Sequence, residues 1–210
     1  RPSPGSPPGR RQSPPGRQWR GDIGRLIVDP DLSLRLDRDV PLLTSDEVDP
    51  LSLSYPWVLD LGEGGYRMWY GSTRTWDTGS GEMLHVIHSA SSVDGHHWHR
   101  EGLAVPYGIG VAQAFSRPCV IAKAGGGMDM WFSYRSGRGE AYRIGRAVSD
   151  DGKTWRLALE SAGIDVSPDG WDSDMIEYPF VLDHGDQRYM LYNGNGYGKT
   201  GFGLAVFGNE

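Results

Sequence analysis

Tyr55-Pro56-Trp57-Val58-Leu59, Arg117-Pro118-Cys119-Val120-Ile121 and Tyr178-Pro179-Phe180-Val181-Leu182 are three copies of one short apolar run built around a proline. The prolines stand 62 and then 61 positions apart, which marks a repeat architecture. Downstream of each comes a second run: Tyr66-Arg67-Met68-Trp69-Tyr70, Met128-Asp129-Met130-Trp131-Phe132 and Arg188-Tyr189-Met190-Leu191-Tyr192. These aromatic, apolar stretches bounded by glycine read as strands. A third run follows at Ile87-His88-Ser89-Ala90, Ile144-Gly145-Arg146-Ala147 and Phe202-Gly203-Leu204-Ala205. The first two of these lead into Ser92-Val93-Asp94-Gly95-His96-His97-Trp98 and Ser149-Asp150-Asp151-Gly152-Lys153-Thr154-Trp155. Asp and Gly tolerate positive φ, so each pair makes a tight hairpin to a fourth strand.

Each unit thus supplies four short antiparallel strands, one blade of a β-propeller in an all-β chain. The proline-bearing strand is expected innermost, because a strand paired on one side only can spare the missing N–H. Upstream, Ile23-Gly24-Arg25-Leu26-Ile27 reads as a further third-type strand without its two predecessors. The chain is therefore expected to hold the outer half of one blade, two whole blades and three strands of another. That is less than a ring of five, so the first blades are expected to be missing. Residues 1–20, rich in proline and arginine, are expected to form a disordered or extended leader, and 21–210 the propeller.

Composition sets bounds on function. With 210 residues there is room for one domain with a sizeable core. A net charge of −6 and no basic stripe in the folded part argue against nucleic acid as a partner. No apolar run reaches the roughly 20 residues that cross a bilayer, and the leader has no apolar signal core. No membrane partner is expected, and a cytoplasmic location is favoured. The single cysteine, Cys119, lies in an apolar run and reads as a buried thiol. His96, His97 and His99, with His85 and His88 before them, read as part of a solvated turn and not as a metal site. Gly125-Gly126-Gly127 lacks a following helix and Lys-Ser/Thr, so it reads as a hairpin linker, and no cofactor is expected.

The combination of x-Pro strand, Tyr-x-Met-Trp-Tyr strand, Ile-Gly-x-Ala strand and Ser-x-Asp-Gly-x-x-Trp turn resembles the five-bladed propeller glycosidases of glycoside hydrolase families 43 and 32. The resemblance implies a carbohydrate ligand at the central channel, with acidic residues on the innermost strands at or before the proline. Glu177-Tyr178-Pro179 is similar to the Glu-Cys-Pro motif, which implies Glu177 as general acid. The sister slots hold Ser54 and Ser116, so Glu177 also departs from its own repeat. Ser116-Arg117-Pro118 stands where the superfamily has Arg-Asp-Pro, with Arg117 replacing the aspartate. Hydrolysis needs a second carboxylate. Asp172 and Asp174 are the nearby candidates, Asp174 for catalysis and Asp172 for binding; strand alternation sets Asp174 out of phase with Glu177, so binding or loop-structuring roles are favoured for both. In the resembling families the base or nucleophile sits on the first blade.

Gly71-Ser72-Thr73, Ser133-Tyr134-Arg135 and Asn193-Gly194-Asn195 occupy one slot at the ends of the second strands. Arg117, Arg135, Asn193 and Asn195 offer directed donors to a ligand, and Tyr55, Tyr178 and Trp76 offer faces for sugar rings. Trp69, Trp98, Trp131 and Trp155 read as blade packing. Three readings stay open: a glycosidase, a propeller that binds carbohydrate without cleaving it, and a scaffold or inactive fragment. Self-association through an open blade edge is also expected.

Overall fold

A computed structural model describes residues 18–208. The leader thus lies outside the described residues except for its last three positions, where Trp19 packs edge-on against Trp76 at 5.4 Å. Strands β1 (Leu26–Val28) and β2 (Leu34–Leu36) form a hairpin. Next come β3 (Ser52–Asp60), β4 (Tyr66–Thr75), β5 (Leu84–Ser92) and β6 (His99–Leu103), joined as one antiparallel sheet in that order. The pattern recurs in β7 (Ser116–Ala122), β8 (Met128–Tyr134), β9 (Arg143–Ser149) and β10 (Arg156–Leu157). Finally β11 (Glu177–His184), β12 (Gln187–Asn193) and β13 (Phe202–Val206) make a three-stranded sheet. Two, four, four and three strands are the numbers that the repeats imply. The only α-helical segment among the described residues is the four-residue Asn195–Gly198, and no described helix could cross a membrane.

The sheets stack face to face, so the core lies between blades. Trp69, Ile87, Val105, Phe115, Met130, Phe132 and Trp155 fill the space between the β3–β6 and β7–β10 blades. Trp131, Ile144, Ile176, Val181 and Met190 fill the next, together with Cys119. Burial pushes the Cys119 thiol up to about 12, so it is an inert packing group. Its sulfur accepts a bond from the Val181 N–H at 3.1 Å, across the blade boundary. Trp57 Nε1 likewise donates to the Val120 carbonyl at 3.0 Å. A third cluster sets Ile23 and Leu43 against Leu53, Met68 and Tyr70. Strand β13 pairs only with β12 among the described residues and exposes Phe202, Leu204 and Val206.

Both Asp-Gly turns are built alike. Ser149 Oγ accepts the Gly152 N–H at 2.8 Å, and Asp151 Oδ1 accepts those of Lys153 and Thr154, each at 2.8 Å. Trp155 Nε1 closes the turn onto the Gly152 carbonyl at 3.2 Å. Gly152 takes φ +70°, which a side chain would resist. The backbone donors hold the Asp151 carboxyl down to about 2. Its contribution to stability is therefore present above pH ~4 and lost as pH falls through about 2. Asp151→Ala is expected to lower the thermal midpoint by a few degrees at pH 7, an effect that fades in acid. Asp150→Ala, at the variable turn position, serves as the control in the same melting series.

Candidate active site

Each innermost strand breaks register at its x-Pro pair, between Ser54 and Trp57, Ser116 and Cys119, and Glu177 and Phe180. These are β-bulges, and the residue before each proline is left-handed: Tyr55 at φ +51°, Arg117 at +48° and Tyr178 at +57°. A bulky side chain there costs on the order of 1–3 kcal/mol, and the same strain recurs in three blades. The bulge turns the three side chains into the common space between β3, β7 and β11. Tyr55 and Tyr178 lie 6.2 Å apart, and the Arg117 guanidinium sits 4.3 Å from the Tyr178 ring and 5.5 Å from that of Tyr55. With their prolines, Trp57 and Phe180 they line a cavity of about 210 Å³. The Tyr178 N–H is anchored on Ser133 Oγ at 2.6 Å.

Glu177 pairs in register with Asn193, as Ser54 does with Gly71 and Ser116 with Ser133. It is 0% exposed, and neither carboxyl oxygen has a hydrogen-bond partner. Burial pushes its pKa up to about 7, against the lesser opposing pull of Arg117. At neutral pH such a group exists in comparable amounts as acid and anion, which suits proton transfer. Arg135 lies over the Tyr142 ring at 5.0 Å and pairs with the buried Glu82 at 3.3 Å. Tyr142 is itself within the field of Glu177.

The segment before β11 is held from behind. Asn195 Oδ1 accepts the N–H groups of Asp174 and Met175 at 2.8 and 3.0 Å, and its amide donates to the Gly170 carbonyl at 3.1 Å. Asp172 is buried and accepts the Tyr192 hydroxyl at 3.0 Å, while Trp171 stacks on the Tyr192 ring at 5.5 Å. Asp174 is exposed, and its carbonyl accepts Arg143 Nη1 at 2.9 Å. So Tyr55, Arg117, Tyr178 and Glu177 gather at one place, and Arg135 joins through Tyr142. Asp172, Asp174 and Asn195 tie the approach to Glu177, and Asn193 stands opposite it.

The histidines need a correction. His97 is exposed on the turn and bonds Asp94 at 2.7 Å, but His85 and His88 point into β5 and are buried. His88 Nδ1 meets buried Asp49 at 2.8 Å, where Tyr70 and Arg100 converge as well. His85 bonds Ser54 Oγ at 3.0 Å and Thr73 Oγ1 at 2.8 Å, beside Tyr55. Burial, then the nearby His88, pushes it down to about 4, so it is neutral. Gly71 leaves the room: a Cβ there would overlap His85 Nε2 and Ser54 Oγ. The available signal was the apolar setting Leu84-His85-Val86-Ile87-His88, which is a core strand and not a turn. Among the described residues, no three His, Cys, Asp or Glu side chains gather as metal ligands.

The chain has the β-propeller fold of the glycoside hydrolases. It is similar to a family 117 glycoside hydrolase of Zobellia galactanivorans, with TM-score 0.58 and 21% identity over 73% of this chain and 51% of that one. It also resembles an exo-1,5-α-L-arabinanase from a bovine ruminal metagenomic library, with TM-score 0.55 and 16% identity over 81% and 58% of the two chains. No family model matches the sequence. An uncharacterized protein of Mycobacterium tuberculosis strain CDC 1551 is 50% identical over 192 residues, which is 91% of this chain and 62% of the relative. A counterpart from strain H37Rv is 49% identical over the same extent. The chain thus spans less than two thirds of the curated relatives it matches.

Proposed function

We propose that the mouth formed by Tyr55, Arg117 and Tyr178 takes carbohydrate, and that Glu177 is the proton donor of a glycoside hydrolysis. The observation carrying this reading is a fully buried carboxyl with two unpartnered oxygens and a pKa pushed up to about 7. Protonated, it can give its hydrogen to a glycosidic oxygen. Asp174 is the carboxylate assigned to the opposite role, general base or nucleophile. Because Glu177 is covered, a ligand must displace a side chain at the mouth to meet it.

Binding without cleavage is the second reading, and one observation favours it. The groups acting on Glu177 are its burial and the Arg117 cation; no carboxylate figures among them. A cation beside the reacting carbon would oppose an oxocarbenium-like transition state.

The test is hydrolysis of a panel of aryl glycosides and oligosaccharides by wild type and Glu177→Gln, with glycan binding followed in parallel. Loss of the acid is expected to cut turnover by about 10²–10⁴-fold while binding stays within a few-fold. Wild-type turnover should decline as pH rises through about 7, where the acid is lost. A folded wild type that binds glycans and hydrolyses none leaves the second reading. One that binds none overturns both.

A further inference from the structure

Arg117 is the one bulge residue that breaks the pattern of its repeat. Tyrosine occupies the slot in both sister blades, at Tyr55 and Tyr178. Arginine here costs strain and supplies charge, and the charge is not consumed inside the protein. The side chain is exposed, and no carboxylate among the described residues lies within ion-pair distance of it. The neighbouring Arg135 differs, being committed to Glu82 at 3.3 Å. Glu177, the carboxyl that feels the Arg117 cation, is pushed up to about 7 by burial and so compensates that charge only in part.

The setting of the guanidinium also limits what it can meet. Two tyrosine rings hold it at 4.3 and 5.5 Å, and it is among the residues that line the cavity. The cavity's about 210 Å³ is small beside sites for larger ligands, and suits a single ring. Trp57 and Phe180 add apolar surface to its wall. Apolar faces and one planar, bidentate cation are the complement of a sugar ring bearing a negative group. The protein's net charge of −6 does not override this, since distant charges are screened within about 8 Å at physiological salt.

Building on the carbohydrate reading above, we propose that Arg117 makes this site selective for an acidic sugar unit, one carrying a carboxylate or a phosphate. The ring lies against the apolar wall of the cavity, which includes Trp57 and Phe180, and the anionic group pairs with the guanidinium.

The experiment is calorimetric titration of wild type, Arg117→Tyr and Arg117→Lys with glucuronic acid, glucose 6-phosphate, glucose and inorganic phosphate. Arg117→Tyr installs the residue that both sister blades carry, so its fold is expected to persist, and circular dichroism checks this. Wild type is expected to bind at least one acidic sugar about tenfold or more tightly than glucose, as charge-assisted hydrogen bonds allow. Which of the two wins tells carboxylate from phosphate. The preference for the acidic sugar over glucose should vanish in Arg117→Tyr, survive in part in Arg117→Lys, and weaken with added salt. Equal binding of acidic and neutral sugars by wild type overturns the inference and leaves the carbohydrate reading standing. So does a preference that persists in Arg117→Tyr, or inorganic phosphate binding as tightly as the sugar phosphate. Binding of no sugar at all removes the carbohydrate reading, and this inference with it.

Discussion

Glu177→Gln is expected to melt well above wild type at pH 8 and close to it at pH 4. An unfolded glutamate releases its proton near pH 4.5, whereas the folded carboxyl holds it until about pH 7. Between those values Glu177 holds more proton in the native chain than in the unfolded one, so its contribution to stability falls as pH rises and then levels off. The direction is opposite to that of a salt-bridged carboxylate, whose folded pKa is depressed. The whole loss is about 3 kcal/mol, from 1.36 kcal/mol per unit of pKa. For a domain of this size that corresponds to about 6–12 °C in melting temperature at pH 8. Glutamine keeps the shape and removes the ionisation, so the difference between the two curves isolates this carboxyl from titrations common to both proteins, such as that of His85. Parallel curves for the two proteins would mean that Glu177 is solvated or partnered in solution, and the argument for a proton donor would lose its basis. A mutant that is more stable and less active would place the cost of an unpaired buried carboxyl with function.

The fold was legible because each repeat carries its own backbone demands. The prolines forecast one-sided strands, and β3, β7 and β11 do pair on one side only. Asp-Gly between Ser and Trp forecast a pinned hairpin, and Asp94 and Asp151 each accept two backbone N–H bonds. The site was legible only in part. Glu177 stood out as the acid in a slot of serines, but its burial depends on three blades converging, which no local pattern encodes. Strain at Tyr55, Arg117 and Tyr178 was equally hidden, since the residue before a proline normally avoids the left-handed region. Arg135 and Asn195 look alike in sequence as polar ends of one slot. Arg135 reaches Glu82 in the preceding blade, whereas Asn195 turns to the segment that leads into the first strand of its own blade. His85 was misread because both faces of β5 are buried, so polar-apolar alternation gives no clue there.

Trp69→Ala is expected to cost about 3–5 kcal/mol, the range for deleting a large buried aromatic. The indole is 0% exposed and meets Trp155 edge-on at 5.8 Å, so it joins the β3–β6 blade to the Asp-Gly turn of the next. Arg67 Nη1 fastens the same turn through the Gly152 carbonyl at 3.2 Å. Trp69→Phe isolates the packing contribution. The indole N–H is buried without a partner, so replacing it forfeits no hydrogen bond and should cost only about 1–2 kcal/mol in lost volume. Trp155→Ala combined with Trp69→Ala should cost less than the two singles together, by the ~0.5–1.5 kcal/mol typical of an aromatic pair. Urea unfolding of the four proteins measures this coupling; strict additivity would show that the two rings do not act as one joint. Tyr55 and Arg117 come from the two blades that this joint holds together. Their 5.5 Å contact at the channel depends on it. In samples that remain folded, Trp69→Ala should therefore weaken ligand binding at Arg117 as well, although Trp69 does not line the cavity.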